Sequence, residues 1–119
     1  MKYDELIVWQ KAMELVTEIY KVTATFPNDE RYGLTSQIRR AAVSIPSNIA
    51  EGHGRKSTGA YLNHLSIAHG SLMEVETQLQ ISARLELLGT DSLPDLISKT
   101  NEIGKMLNGL IRSLSTKED

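Results

Sequence analysis

The sequence predicts an all-α protein, an antiparallel up-down-up-down four-helix bundle. Apolar residues recur in alternating three- and four-residue steps through four separate segments, the period of a helix with one buried face. Short breaks rich in Pro, Gly, Asn, Asp and Ser separate these segments, so consecutive helices must fold back beside one another. No stretch alternates with period two for long enough to demand a strand. A chain of 119 residues, 40% of them apolar, suits one domain over 1–119 with a modest core. The helices are expected at about 4–25, 30–52, 58–88 and 92–115.

The first helix carries two apolar stripes. Leu6, Trp9, Met13, Val16 and Tyr20 form one, and Val8, Ala12, Leu15, Ile19, Val22 and Phe26 form the other. Together they are wider than a four-helix core usually demands. Either this helix is central, or part of its face meets another subunit.

"FPNDERYG" breaks the pattern with Pro27, Asn28 and Asp29, and the second helix is established by about Leu34. Its core positions are Leu34, Ile38, Ala41 or Ala42, Ile45 and Ile49, a spacing that passes through Pro46 without slipping phase. A proline inside a helix removes one backbone hydrogen bond and clashes with the carbonyl four residues back, costing ~3 kcal/mol or kinking the axis. The unbroken phase predicts a helix kinked at Pro46 in preference to a loop, with Gly52 and Gly54 ending it.

Ser57 or Thr58 can cap a third helix expected to reach about Leu88, with Leu62, Leu65, Ala68, Leu72, Val75 and Leu79 as its seam. Ala68, Gly70 and Ser71 are small, so a neighbouring helix is expected to approach closely there. Gly89 reads as the stop, Asp91 or Ser92 as the next cap, and Pro94 as tolerated in a first turn. The fourth helix carries Leu96, Ile103, Leu107, Leu110 and Leu114 and is expected to fray after Ser115.

The composition narrows the chemistry. The absence of cysteine removes disulfides, zinc-thiolate sites and cysteine nucleophiles. The opening "MKYDELIVWQKAMELV" mixes charges into its apolar residues, and no run approaches a membrane span. No signal peptide and no membrane association are expected, and the expected location is cytoplasmic. A di-iron bundle needs Glu-x-x-His pairs, and none occurs. His64 and His69 stand about 140° apart around a helix, too far to share an ion. "GHGRKS" approaches a Gly-x-Gly-x-x-Gly phosphate loop, but its last position is Ser57 and a helix precedes it. No strand-turn-helix elbow frames a serine. No catalytic residue, metal or cofactor is assigned, and the chain is expected not to be an enzyme.

Charge is unevenly spread. Residues 1–30 carry three Lys against six Asp/Glu, residues 31–69 five Arg/Lys against one Glu, and residues 70–119 five Lys/Arg against eight Asp/Glu. All three histidines, His53, His64 and His69, also fall in the basic segment. Arg31, Arg39, Arg55 and Lys56 are the candidate phosphate contacts, because they need only project into water with counterions to release; ordinary solubility is the alternative.

A polar stripe, Ser36 or Gln37, Arg40, Ser44, Ser47 or Asn48, and Glu51, runs along the second helix. Arg40 and Glu51 share a face yet stand about 16 Å apart, so each needs another partner. The stripe is either a solvated face or a set of hydrogen bonds across a helix or subunit seam that fixes register. Ser44 and Asn48 flank Pro46 and could occupy backbone groups it loosens.

Read in order, "LIVWQKAMEL", "FPNDERYGLTSQIRRAAVSIPSNIAEGHGR" and "YLNHLSIAHGSLMEVETQL" make the chain resemble a bacterial four-helix-bundle family encoded within intervening sequences of large-subunit (23S) ribosomal RNA genes. The resemblance spans roughly residues 4–88. "QIRRAAVSIPSNIAEG" and "AHGSLMEVETQL" are its most specific strings, while the fourth helix matches only in pattern.

The resemblance implies an up-down bundle that assembles as a ring-shaped homopentamer. The chain is also similar to the accessory variability protein of diversity-generating retroelements, a basic pentamer that associates with nucleic acid and a reverse transcriptase. Carried onto this chain, the likeness places Arg39, Arg40, Arg55 and Lys56 near a nucleic-acid surface. The implied partners are further copies of the chain and RNA or DNA. The net charge of −2 departs from that basic pattern. The alternative is a protein–protein interaction scaffold without nucleic-acid contact.

Overall fold

The computed structural model describes residues 1–117. Four helices account for most of them: α1 (Ile7–Thr23), α2 (Leu34–His53), α3 (Thr58–Arg84) and α4 (Ser92–Lys117), with single 3-10 turns at Tyr3–Glu5 and Asn28–Glu30. Helix α2 packs between α1 and α3, and α4 closes the square against both, which leaves α1 and α3 on a diagonal. The bundle measures 48 × 24 × 21 Å.

On α1 the core buries most of one stripe, while Leu6, Trp9 and Val16 of the other pack half-buried against its edge. Val8, Ala12, Leu15, Ile19 and Phe26 are buried, whereas Met13 and Tyr20 are 42% and 43% exposed. The helix starts at Ile7, after the Tyr3–Glu5 turn that Glu5 closes by accepting from the Lys2 amide at 3.0 Å. Near its end, the buried Thr23 hydroxyl donates back to the Ile19 carbonyl at 2.6 Å.

Helix α2 begins at Leu34 because Asn28–Glu30 form their own turn, from which Glu30 Oε1 accepts the Leu34 amide at 3.3 Å. It then runs through Pro46 without interruption, with Ile38, Ala42, Ile45 and Ile49 fully buried. Proline leaves the Ala42 carbonyl without its usual helical donor, so burial of this face must offset that loss. Gly52 does not end the helix, which continues to His53 and closes on Gly54.

Gly52 is also where α2 and α3 come closest. A Cβ there would stand 2.8 Å from His64 Cβ and 2.9 Å from Tyr61 Cδ1. Gly70, expected to admit a neighbouring helix, instead has nothing within 4 Å of such an atom; buried Ala68 and Ser71 occupy the seam.

Ser57 caps α3 by accepting from the Ala60 amide at 3.1 Å. The helix stops at Arg84, four residues before the expected end. The stop is Glu86, at φ 61°, while Gly89 lies beyond it. Leu87 N–H donates to the Ser82 carbonyl at 2.9 Å and Glu86 N–H to Ala83 at 3.0 Å, the paired bonds of a Schellman ending.

On α4, Leu96, Ile103 and Leu107 are buried, and the rung between them is Thr100, also fully buried. Its Oγ1 lies 2.7 Å from Glu76 Oε1 on α3, which satisfies the polar group inside the seam. The α1–α4 edge is tied by Lys99, bonded to Glu18 and 3.2 Å from Asp95, and by Lys11, 3.5 Å from Glu102.

Candidate functional site

The polar stripe of α2 faces α3 and forms a continuous chain of hydrogen bonds with it. Ser71 Oγ donates to Ser44 Oγ at 2.9 Å, and Asn48 Nδ2 donates to the same hydroxyl at 3.0 Å and to the Ser44 carbonyl at 2.9 Å. Asn48 Oδ1 lies 3.0 Å from His64 Nδ1, and Arg55 Nε donates to His64 Nε2 at 3.3 Å.

An arginine has only donors, so Nε2 accepts and Nδ1 carries the proton that reaches Asn48. Glu51 stands 3.7 Å from Arg55 and 3.8 Å from His64. Its partners therefore come from its own chain, one of them across the α2–α3 seam.

Arg40 has a different setting. It is exposed, makes no ion pair among the described residues, and sits on one wall of a cleft of about 420 Å³ between α2 and α3. Glu74 is on the other wall, Tyr32 at the mouth, and Gln78 in the lining above the Ser44–Ser71 pair.

The four candidate phosphate contacts divide between the two ends of α2, a helix of 20 residues and so about 30 Å long. Arg31 is exposed, with its guanidinium carbon 5.5 Å from the Tyr32 ring centre. Arg39 is half-buried against α1: Nε donates to Thr23 Oγ1 at 2.8 Å and Nη2 to the Tyr20 carbonyl at 3.3 Å, and its guanidinium carbon lies 4.5 Å from the Tyr20 ring centre. At the far end, Arg55 and Lys56 are exposed, Arg55 being held by His64 and Glu51.

The outer stripe of α1 lines a second, apolar groove of about 350 Å³, where Tyr3, Trp9, Met13 and Val16 meet Val43 and Pro46 of α2. Tyr3 and Trp9 stack edge to face with centroids 5.3 Å apart. On the diagonal helix, Ile67, Met73 and Ile81 of α3 are exposed, as is Leu85 just past its end.

Over residues 4–109 the chain matches the model of the 23S rRNA-intervening sequence proteins. It belongs to that family. Its fold is that of a protein of unknown function from the S23 ribosomal protein family of Bacteroides thetaiotaomicron, whose crystal structure superposes with a TM-score of 0.83. The two are 26% identical, and the alignment covers 94% of this chain and 99% of that one. No curated protein matches the chain.

In this 23S rRNA-intervening sequence protein, no three His, Asp or Glu side chains come together to hold a metal ion among the described residues. No helix among them is long and apolar enough to cross a membrane. Among the described residues, two groups titrate away from their ordinary values. The hydrogen bond to Glu18 raises Lys99, aided by Asp95 and opposed by desolvation, and burial raises the Tyr61 phenol.

Sequence reasoning placed Ser44, Asn48 and Glu51 on one stripe but did not name α3 as the helix that supplies their donors. The signal was there: Asn48, Ser44 and Arg40 step back by four, as do Ser71 and Glu74 by three along α3, so two polar rows can face each other.

Proposed function

We propose that this chain is a non-enzymatic, self-assembling helical bundle, a pentameric accessory or scaffold protein that contacts RNA through its basic α2 region. The observation that carries the assembly is the outer edge of α1, where Met13 and Tyr20 are exposed and half-buried Trp9 lines an apolar groove continued by Val43 and Pro46. Exposed apolar side chains on the diagonally placed α3, Ile67, Met73 and Ile81, make a head-to-tail contact between unlike surfaces available, the kind that closes into a ring. Exposed Arg31, Arg55 and Lys56 support the RNA contact.

A protein–protein scaffold without RNA is the second reading. The engagement of Arg39 by Thr23 and Tyr20, and of Arg55 by His64 and Glu51, favours it.

Light scattering on the purified chain tests the assembly, and a clean monomer overturns it. A mobility-shift titration of single-stranded RNA across salt tests the contact. Binding that weakens as salt rises supports it, and no binding at low salt leaves the protein scaffold.

A further inference from the structure

The cleft between α2 and α3 has recognition chemistry that its own chain does not use. Arg40 on one wall and Glu74 on the other are exposed and make no ion pair among the described residues. Gln78 is 9% exposed, and its Oε1 is buried with no hydrogen-bond partner. Below Arg40, Ser44 Oγ accepts from both Ser71 and Asn48, which leaves its own proton free to donate. Tyr32, also in the lining, is 88% exposed. The volume, about 420 Å³, lies within the range of small-ligand sites.

We infer that this cleft binds a guanine nucleotide. Each free group selects part of that ligand. Arg40, with the Ser44 hydroxyl, takes a phosphate. Tyr32 offers a face on which a planar base stacks, as aromatic side chains do in single-strand recognition.

The Glu74 carboxylate needs two donors side by side. Guanine presents them as N1–H and the 2-amino group. Cytosine offers a single amino donor on that edge, and adenine and uracil each set their donor beside an acceptor. An amino-acid zwitterion would satisfy Arg40 and Glu74 but leave the Tyr32 face unused.

The site goes beyond the RNA contact proposed above. It serves a free mononucleotide or an unpaired guanine within a strand, and the experiment separates these sources. The isotope-labelled full chain is titrated with each of the four 5′-monophosphates, followed by amide shifts. In parallel it is titrated with hexauridine and with the same strand carrying one guanosine.

The guanine nucleotide should bind about tenfold tighter than the uracil one, with shifts centred on Tyr32, Arg40 and Gln78. Glu74→Gln should abolish the preference, and Arg40→Ala should weaken all four nucleotides; both positions are exposed, and circular dichroism checks that the fold is kept.

Equal affinity for the four bases, or no shifts in the cleft, overturns the inference. If both strands bind alike, indifferent to Glu74→Gln but weakened by Lys56→Ala, the RNA contact stands and the cleft site falls. If the mononucleotide binds in the cleft and neither strand binds, the cleft site stands and the RNA contact falls.

Discussion

Gly52 on α2 faces His64 on α3 with no room for a methyl group: a Cβ on Gly52 would stand 2.8 Å from the His64 Cβ. His64 is in turn held by Asn48 and Arg55, so the close approach and the polar chain constrain the same stretch of seam. Gly52→Ala should push the helices apart and destabilise the fold by about 1–3 kcal/mol, the range for overpacking a well-filled core. Gly109→Ala is the control, because nothing lies within 4 Å of its Cβ position. It should stabilise by about 0.5–1 kcal/mol through helix propensity alone. Urea midpoints of the two variants check the opposite signs.

Glu86 occupies the left-handed position that ends α3, at φ 61°. A residue with a Cβ is strained there by about 1 kcal/mol, and glycine is not. Glu86→Gly should therefore raise the unfolding midpoint, by an amount reduced by the extra freedom glycine gives the unfolded chain. A fall in the midpoint would show that the Glu86 side chain stabilises the native state by more than the strain it bears.

Arg39 packs against α1 where the Tyr20 carbonyl and Thr23 hydroxyl accept from it and the Tyr20 ring lies beneath its guanidinium. A cation at the C-terminal end of a helix also meets the favourable pole of its dipole. Arg39→Ala should cost about 1–2 kcal/mol. Arg39→Lys should recover little of it, since the planar fork and not the charge makes the two bonds. Thermal melts of both variants distinguish this from a residue that only projects charge into water, for which lysine would serve as well.

Stability should fall on the alkaline side. The Lys99 pKa is raised, chiefly by its hydrogen bond to Glu18, so the stabilisation is fully present below the unfolded lysine pKa and is lost as pH rises through the folded value. The Tyr61 pKa is raised by burial, which favours the neutral phenol; its contribution is likewise present below the unfolded tyrosine pKa and lost above the folded one. Both windows begin above about pH 10. Denaturant unfolding from pH 8 to 11.5 should show the loss, and Lys99→Met with Tyr61→Phe should flatten the curve.

The helices and their core stripes were readable because burial imposes a period, and Ile38, Ala42, Ile45 and Ile49 keep that period across Pro46. What stayed hidden depends on docking. The two stripes of α1 are equally apolar, and only the placement of α2 and α4 decides that Leu15 and Ile19 go inward while Met13 and Tyr20 stay out. The end of α3 was missed because glutamate carries no sign of a left-handed turn, whereas Gly89 does. Gly52 and Gly70 look alike in sequence, and the crossing point of two helices tells them apart. For the site, the stripe of Ser44, Asn48 and Glu51 was readable, but the reach of Arg39 back across 16 and 19 residues was not. Long side chains find partners by proximity in space, which no local spacing encodes.

The outer stripe of α1 carries the chain's only tryptophan, which gives the proposed self-assembly a built-in reporter. Trp9 lines the apolar groove with Tyr3, Met13 and Pro46. If a second copy covers that groove, water leaves the indole on association, and dilution should shift Trp9 emission to the red as the mass by light scattering falls. Met13→Glu places a charge in the groove at a position 42% exposed in the isolated chain, so the fold should survive while association is lost. The variant should be monomeric at all concentrations, with helical circular dichroism intact and Trp9 emission already red and indifferent to dilution. Wild-type emission that stays constant while the mass falls would move the contact away from α1, toward the exposed Ile67 and Ile81 on α3.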